Sequence, residues 1–336
     1  MGLLKTVARS AVLPTAMGLG IDRLLRSTST RRLLNVMYHG VVDSDSTWFS
    51  PRHLTAKDFD HHLKYLTEHF NVVSSAEAFS LRSLGRALDR HTISISFDDG
   101  YVNNLEVALP IIEKYKVPVT FFVLGPCAET NGKRVSWTDL MAALAKRSAG
   151  QTINVLGGSY TNMIEAAART HLVADLKRAL PALRDEALDQ LDEEFGLRSY
   201  LEGIDRHIWM LMGPKELAML AASTYVEIGS HAYAHYNLGL IPLSSAVEDM
   251  ERSKLALEAS IGRPVVSIAY PDGSYTDEVK DAAERLGFER QLAVDLRCTS
   301  DPGDLRIQAR HGVPSTTTKS SALFFLNYAF RHKGLF

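Results

Sequence analysis

The chain has 336 residues, 46% of them hydrophobic and 23% charged, with a formal net charge of −2 at neutral pH. That is the balance of a folded globular protein, and it offers no cationic surface of the size that nucleic acid demands. Two cysteines, Cys127 and Cys298, exclude a disulfide framework and a cysteine-built zinc site.

Residues 1–32 read as a basic amphipathic leader. Lys5, Arg9, Arg23, Arg26, Arg31 and Arg32 stand against Asp22 alone, among Leu3, Leu4, Val7, Val12 and Leu13. Arg9 and Pro14 interrupt the apolar run that a signal peptide needs. No stretch reaches the roughly 18 apolar residues of a membrane span. The leader fits either a segment lying on an anionic membrane face or one packed on the folded domain. The expected location is cytoplasmic, with peripheral contact to the inner membrane face through the termini.

From residue 33 to 314 short apolar runs alternate with helix-like stretches. Strands are expected at 33–38, 92–97, 117–124, 225–228, 265–270, 291–294 and within 305–313. Helices are expected at 55–69, 104–115, 244–261 and 276–286; the first carries Phe59, Leu63, Tyr65 and Leu66 in its apolar share. Strand–helix alternation at this spacing predicts parallel βαβ units, and so an α/β barrel or a doubly wound sheet. Residues 130–213 break the alternation. Apolar residues there recur at helical spacing over 137–144 and 163–180, and 185–194 is a charged run. This reads as a helical insertion, or lid, within the barrel. Residues 315–336 are aromatic and then basic, and read as a closing helix.

Two motifs carry candidate chemistry. In Ile93-Ser94-Ile95-Ser96-Phe97-Asp98-Asp99-Gly100-Tyr101 two carboxylates follow a buried strand. Adjacent carboxylates raise one another's pKa unless a cation relieves them, so one would hold a metal and the other remain as a base. An Asp-Gly turn is the ordinary alternative. In Glu227-Ile228-Gly229-Ser230-His231-Ala232-Tyr233-Ala234-His235 two histidines lie four apart. On a helical turn both would project to one side and reach one ion; exposed histidines on a helix face are the plainer alternative. Together the motifs offer three ligands and a base, the minimum for metal-assisted hydrolysis.

Ser96-Phe97-Asp98-Asp99-Gly100-Tyr101 and Gly229-Ser230-His231-Ala232-Tyr233-Ala234-His235 resemble the first two motifs of the polysaccharide deacetylase (NodB-homology) family. Met37-Tyr38-His39, Ala108-Leu109-Pro110 and Val117-Pro118-Val119-Thr120-Phe121-Phe122-Val123 resemble its flanking segments, and Ala269-Tyr270-Pro271-Asp272-Gly273 falls at its third motif. The resemblance covers about residues 33–125 and 210–314. It implies a distorted (β/α) barrel of about seven strands. It implies Asp99, His231 and His235 as ligands of a divalent metal, zinc or another transition metal, and Asp98 as general base. A backbone N–H near Asp272 would hold the oxyanion, and a late histidine would protonate the leaving amine; His311 is the candidate, with His332 also downstream. The implied reaction removes an N-acyl group, N-acetyl in the first instance, from an amino sugar.

Three positions depart from the family pattern. Ala232 stands where a Ser or Thr is usual, Ala269 where many members have an Arg that orients the base, and Asp272 where an aromatic residue is usual. Arg306 or Arg310 would have to replace the missing Arg. His39 and Tyr101 are further candidates beside the site, and Trp48, Trp137 and Trp209 are candidate sugar platforms or core residues. The expected partner is an amino-sugar glycan, small or met at a chain end, of the cell envelope or linked to lipid. Competing functions are a catalytically silent carbohydrate-binding barrel and a hydrolase of cyclic amides.

Overall fold

The computed structural model describes residues 31–313 apart from 47, 50, 86, 132–133 and 162–165, together with Thr15, Leu19, Gly20 and Leu24. Most of the leader and the expected helix 315–336, His332 included, lie outside the described residues. Seven parallel strands close into a barrel: β1 (Leu33–Tyr38), β2 (Thr92–Asp99), β3 (Val119–Val123), β4 (Val226–Ser230), β5 (Ser267–Ala269), β6 (Arg290–Ala293) and β7 (Ile307–Gly312). Closure comes from β1, which pairs with β2 on one side and with β7 on the other. Asn71–Val73 lies beside the first residues of β2, and β3 takes over that side from Ile95 onward.

Outward residues of the strands are apolar: Val36, Tyr38, Ile93, Ile95, Phe97, Phe121 and Ile268 are buried under the surrounding helices. Inward residues are largely polar. Asn35 Nδ2 donates to Gln308 Oε1 at 2.9 Å, and Ser94 Oγ donates to Asn35 Oδ1 at 2.5 Å. Strand periodicity of two sorts the sequence onto these faces, and the inner polar column runs through Ser94 and Ser96 to Asp98.

The helices are, in chain order, α1 (Ala56–His69), α2 (Ser75–Ser83), α3 (Leu109–Tyr115), α4 (Trp137–Arg147), α5 (Ala166–Arg178), α6 (Pro181–Phe195), α7 (Leu197–Glu202), α8 (Pro214–Ala221), α9 (Leu243–Ile261) and α10 (Asp277–Arg285). α1 starts where Thr55 accepts from the Asp58 N–H, a side-chain cap for an otherwise orphaned donor. It buries Phe59, Leu63 and Leu66 at helical spacing. α2 plugs the far end of the barrel: Phe79 packs with Phe122, Ala269 and Leu292.

α4 to α7 form the insertion, and they carry a core of their own built from Leu140, Leu144, Leu172, Leu191, Phe195 and Trp209. The insertion also holds a hairpin, Ile153–Val155 with Gly158–Tyr160, where only helix was expected. Its two strands are three residues each, too short to leave a period-two signal. The expected helix 104–115 begins as a wide π-turn, Asn104–Ala108, before α3.

Candidate metal centre

β2 ends on Asp98 and Asp99, and strand alternation gives the two carboxylates different partners. Asp98 is buried in a bidentate pair with Arg310 of β7: Nη1 donates to Oδ1 at 2.6 Å and Nη2 to Oδ2 at 2.8 Å. Burial opposes ionisation of Asp98, and Arg310 together with His231 outweighs it, holding the carboxyl below its usual range. Arg310 Nη1 also donates to Ser96 Oγ at 3.2 Å. Arg310 therefore supplies Asp98 with the arginine that Ala269 leaves missing.

Asp99 lies in left-handed backbone (φ 74°) and is followed by Gly100 (φ 86°). Its Oδ1 has no hydrogen-bond partner, although a buried carboxylate oxygen ordinarily finds one. That oxygen is 3.6 Å from His231 Nε2 and 3.5 Å from His235 Nε2. Burial raises the Asp99 carboxyl, but His235, His39 and His231 outweigh it and keep the group well below the carboxylate range.

His231 is oriented by its other nitrogen, Nδ1, which donates to the Ala269 carbonyl at 2.7 Å; this leaves Nε2 as the free lone pair. The His231–His235 segment is not a helical turn. It is a loop after β4 with two residues in left-handed backbone, Ala232 (φ 63°) and His235 (φ 56°). The loop curls both rings together, with centroids 5.0 Å apart. With Ala232 in place of a hydroxyl residue, Ser230 and Ser253 brace it: Ala232 N–H donates to Ser230 Oγ at 3.1 Å, and Ser253 Oγ donates to the Ala232 carbonyl at 3.0 Å.

The three donors fit a divalent cation. A tetrahedral ion about 2.0–2.2 Å from oxygen and nitrogen ligands sets them about 3.4 Å apart, close to the separations found. Asp99, His231 and His235 are also one of two groups of ligating side chains found within 4.8 Å of one another among the described residues. The other, Asp277, Cys298 and Asp301, surrounds the Lys280 ammonium, which donates to Asp301 at 2.6 Å and pairs with Asp277 at 3.0 Å; it already holds a cation. At His235 the Trp137 indole N–H donates to Nδ1 at 3.2 Å. With Nδ1 accepting from the indole, Nε2 is the ring nitrogen left facing Asp99.

Other expected residues are placed differently. His311 follows Arg310 on β7 and pairs in register with Val36, whose side chain lies in the outer core. Strand alternation turns His311 away from Asp98, so the expected proton donor is not among the groups gathered there. Arg306 is also corrected: it binds Asp304, Asp281 and Glu284 on the outer surface. Tyr101 is fully buried, and its hydroxyl donates to Asp139 Oδ2 at 2.9 Å; it links barrel to insertion and cannot touch a substrate. Burial pushes the Asp139 carboxyl up to about 7 against the pull of Arg52. Asp272 (φ 54°) pairs with Lys177 at 2.9 Å and accepts from Asn237 Nδ2 at 3.2 Å. His39, at the end of β1, faces the site. Burial lowers its pKa, partly offset by the charges of Asp99 and Asp98, with Arg52 and Arg310 adding to the lowering. Trp209 belongs to the insertion's core and Trp48 is half exposed.

The family model for polysaccharide deacetylase matches residues 85–290. The chain belongs to the polysaccharide deacetylase family. The match takes in Asp98, Asp99, His231 and His235, while His39 and Arg310 lie beyond its ends. YxkH of Bacillus subtilis (strain 168), named as a candidate polysaccharide deacetylase, is 26% identical over 102 residues, 30% of this chain and 35% of that protein. The chain thus matches about a third of that relative's length. Among solved structures, the Streptococcus pyogenes deacetylase PplD in complex with acetate superposes with a TM-score of 0.56 at 15% identity, over 88% of this chain and 98% of that one. IcaB from Ammonifex degensii gives 0.52 at 17% identity, over 87% and 97%. The de-N-acetylase from Aggregatibacter actinomycetemcomitans gives 0.51 at 17%, over 85% and 97%. At these identities the structures establish the shared barrel of the polysaccharide deacetylase fold.

Proposed function

We propose that the chain is a divalent-metal-dependent N-deacetylase of an amino sugar, with zinc as the metal. The observation that carries this is the unpartnered Asp99 Oδ1, equidistant within 0.1 Å from two histidine Nε2 atoms at 3.5 and 3.6 Å. A divalent cation held there supplies Lewis acidity, polarising an amide carbonyl and acidifying a water. Asp98, kept ionised by Arg310, takes the proton of the water that attacks the amide carbon. His39, the remaining histidine coupled to both carboxylates, passes a proton to the leaving nitrogen as the carbon–nitrogen bond breaks. Asp98 releases the proton it took from the water, and the new carboxylic acid gives up its own, so that one amide and one water yield a carboxylate and an ammonium ion.

The insertion shapes the substrate. Trp137 reaches His235 on one side of the site and Lys177 reaches Asp272 on another. A cavity of about 370 Å³ remains beside His235, lined by Trp137, Leu188 and Tyr233 among others. The insertion's contacts on both sides of the site favour a short glycan or a chain end over the interior of a polymer. The basic leader and aromatic tail support an envelope or lipid-linked glycan handled at the cytoplasmic membrane face.

The test is metal content by elemental analysis together with acetate release from N-acetylated amino-sugar oligomers. The wild type should hold near one equivalent of metal, lost in an Asp99→Ala/His231→Ala variant. His39→Gln should abolish turnover with metal retained, while His311→Gln leaves it unchanged. No metal after reconstitution and no acetate would overturn the proposal; loss of turnover in His311→Gln alone would overturn the choice of proton donor.

A further inference from the structure

The loop that carries His235 is gripped from both sides, and one grip belongs to the insertion. Asp249 of α9 takes the loop's donors: its carboxylate accepts from the Tyr233 N–H at 2.8 Å and the Ala234 N–H at 3.0 Å. Arg184 of α6 takes its acceptors: Nη1 donates to the His235 carbonyl at 3.0 Å and Nη2 to the Ala234 carbonyl at 2.6 Å. The Arg184 side chain is 3% exposed. Its guanidinium lies 4.0 Å above the Tyr236 ring and 5.5 Å from the Trp137 ring, and Trp137 is the insertion residue that meets the His235 ring.

Burying a guanidinium costs solvation; the Asp185 carboxylate paired with Nε at 3.6 Å is half exposed, and both Nη donors go to neutral carbonyls, so the offset is weaker than a buried ion pair would give. α6 has no need of it for docking, since Ala187, Leu188, Leu191 and Phe195 already bury its apolar face. What the fork does is hold two successive peptide carbonyls from one guanidinium, which a lysine's point charge cannot reproduce. Those carbonyls flank a residue in left-handed backbone, where a non-glycine residue persists only if its surroundings hold it. Released, the peptide would relax and carry His235 Nε2 away from Asp99.

We infer that Arg184 is a positioning residue for the metal site, and that the insertion is part of that site rather than a cover over it. This rests on the reading of Asp99, His231 and His235 as metal ligands, and deepens it. The loop's ends belong to two bodies, so cation affinity depends on a helix about fifty residues earlier in the chain.

The probe is Co²⁺ with the full-length chain, read by its visible absorption spectrum and by chelator competition, beside the melting temperature of the metal-free protein. Arg184→Ala should weaken Co²⁺ binding about 10- to 100-fold, the usual effect of removing a group that orients a ligand, and should shift the absorption band. Arg184→Lys should recover at most part of the loss; if Arg184→Ala fails to fold, a weakened Arg184→Lys carries the same comparison. Arg198→Ala, which removes an equal charge from the insertion where Arg198 pairs with Asp189 at 3.2 Å, should bind Co²⁺ as the wild type does. Wild-type affinity and spectrum in the Arg184 variants would overturn the assignment alone, as would an equal loss in Arg198→Ala. A wild-type chain that takes up no Co²⁺ would overturn the metal reading, and this assignment with it.

Discussion

Asp98 and Asp99 share a peptide bond but are held for opposite tasks. Asp99 keeps an oxygen without a hydrogen bond, which suits a ligand; Asp98 spends both oxygens on Arg310, which suits a base that must stay ionised. The pairing sets a pH dependence. Arg310 lowers the Asp98 pKa, so removing that cation raises it, and a base that must be deprotonated then works only at higher pH. Arg310→Met should move the acidic limb of the kcat/KM profile upward, with metal content unchanged. An unmoved limb would show that Asp98 is not the titrating base. The three side chains that the structure brings together, Asp99, His231 and His235, were legible because each sits in a short motif behind a strand. Arg310 was open between two candidates, and the structure decides for it by the face of a strand. The same one-residue step in β7 removes His311 from the site, since the sequence fixes neither the register nor which face turns inward. His39 has no signal beyond the short Met37-Tyr38-His39 segment, and comes beside both carboxylates only once β1 and β2 pair.

At the scale of elements, the turn after β2 is where the fold presses hardest on the sequence. Asp99 and Gly100 are consecutive left-handed residues. A Cβ on Gly100 would sit 2.9 Å from Val123 Cγ1 and 3.0 Å from Cys127 Sγ, both buried side chains of neighbouring elements. Gly100→Ala should therefore cost roughly 1–3 kcal/mol, the range for a non-glycine residue in disfavoured backbone, and should weaken metal binding because the turn aims Asp99. Urea unfolding and chelator titration check the two effects; an unchanged midpoint would mean the turn has room the structure does not show. The barrel strands and α1, α9 and α10 were legible from periodicity because each buries one long apolar face. The His231–His235 loop was misread as helical, since a spacing of four mimics a helix while the curl depends on Asp249, Ser253 and Arg184, none of them nearby in sequence. The insertion's hairpin was too short to register.

Barrel closure at the scale of the whole molecule depends on β7, and β7 also delivers Arg310 to the base. The segment before it is anchored by charge. Lys280 of α10 donates to Asp301 at 2.6 Å and to Asp304 at 3.2 Å, and Arg306 closes on Asp304 at 2.8 Å. Burial opposes ionisation of Asp304, but Arg306 and Lys280 outweigh it and bring its pKa down to about 2. In the unfolded chain an Asp titrates near about 3.9. The folded value is the lower, so the stabilisation is complete above about pH 4 and is lost as pH falls towards 2. Arg306→Ala should lower the melting temperature at neutral pH and flatten its decline between pH 4 and 2, because the folded Asp304 pKa moves back towards the unfolded one. Arg306 is on the outer surface and touches neither carboxylate of the site, so turnover at neutral pH and moderate temperature should be retained. A variant whose acid profile runs parallel to the wild type's would place the acid-sensitive lock elsewhere. A variant that keeps its stability but loses turnover would return Arg306 to the chemistry of the site.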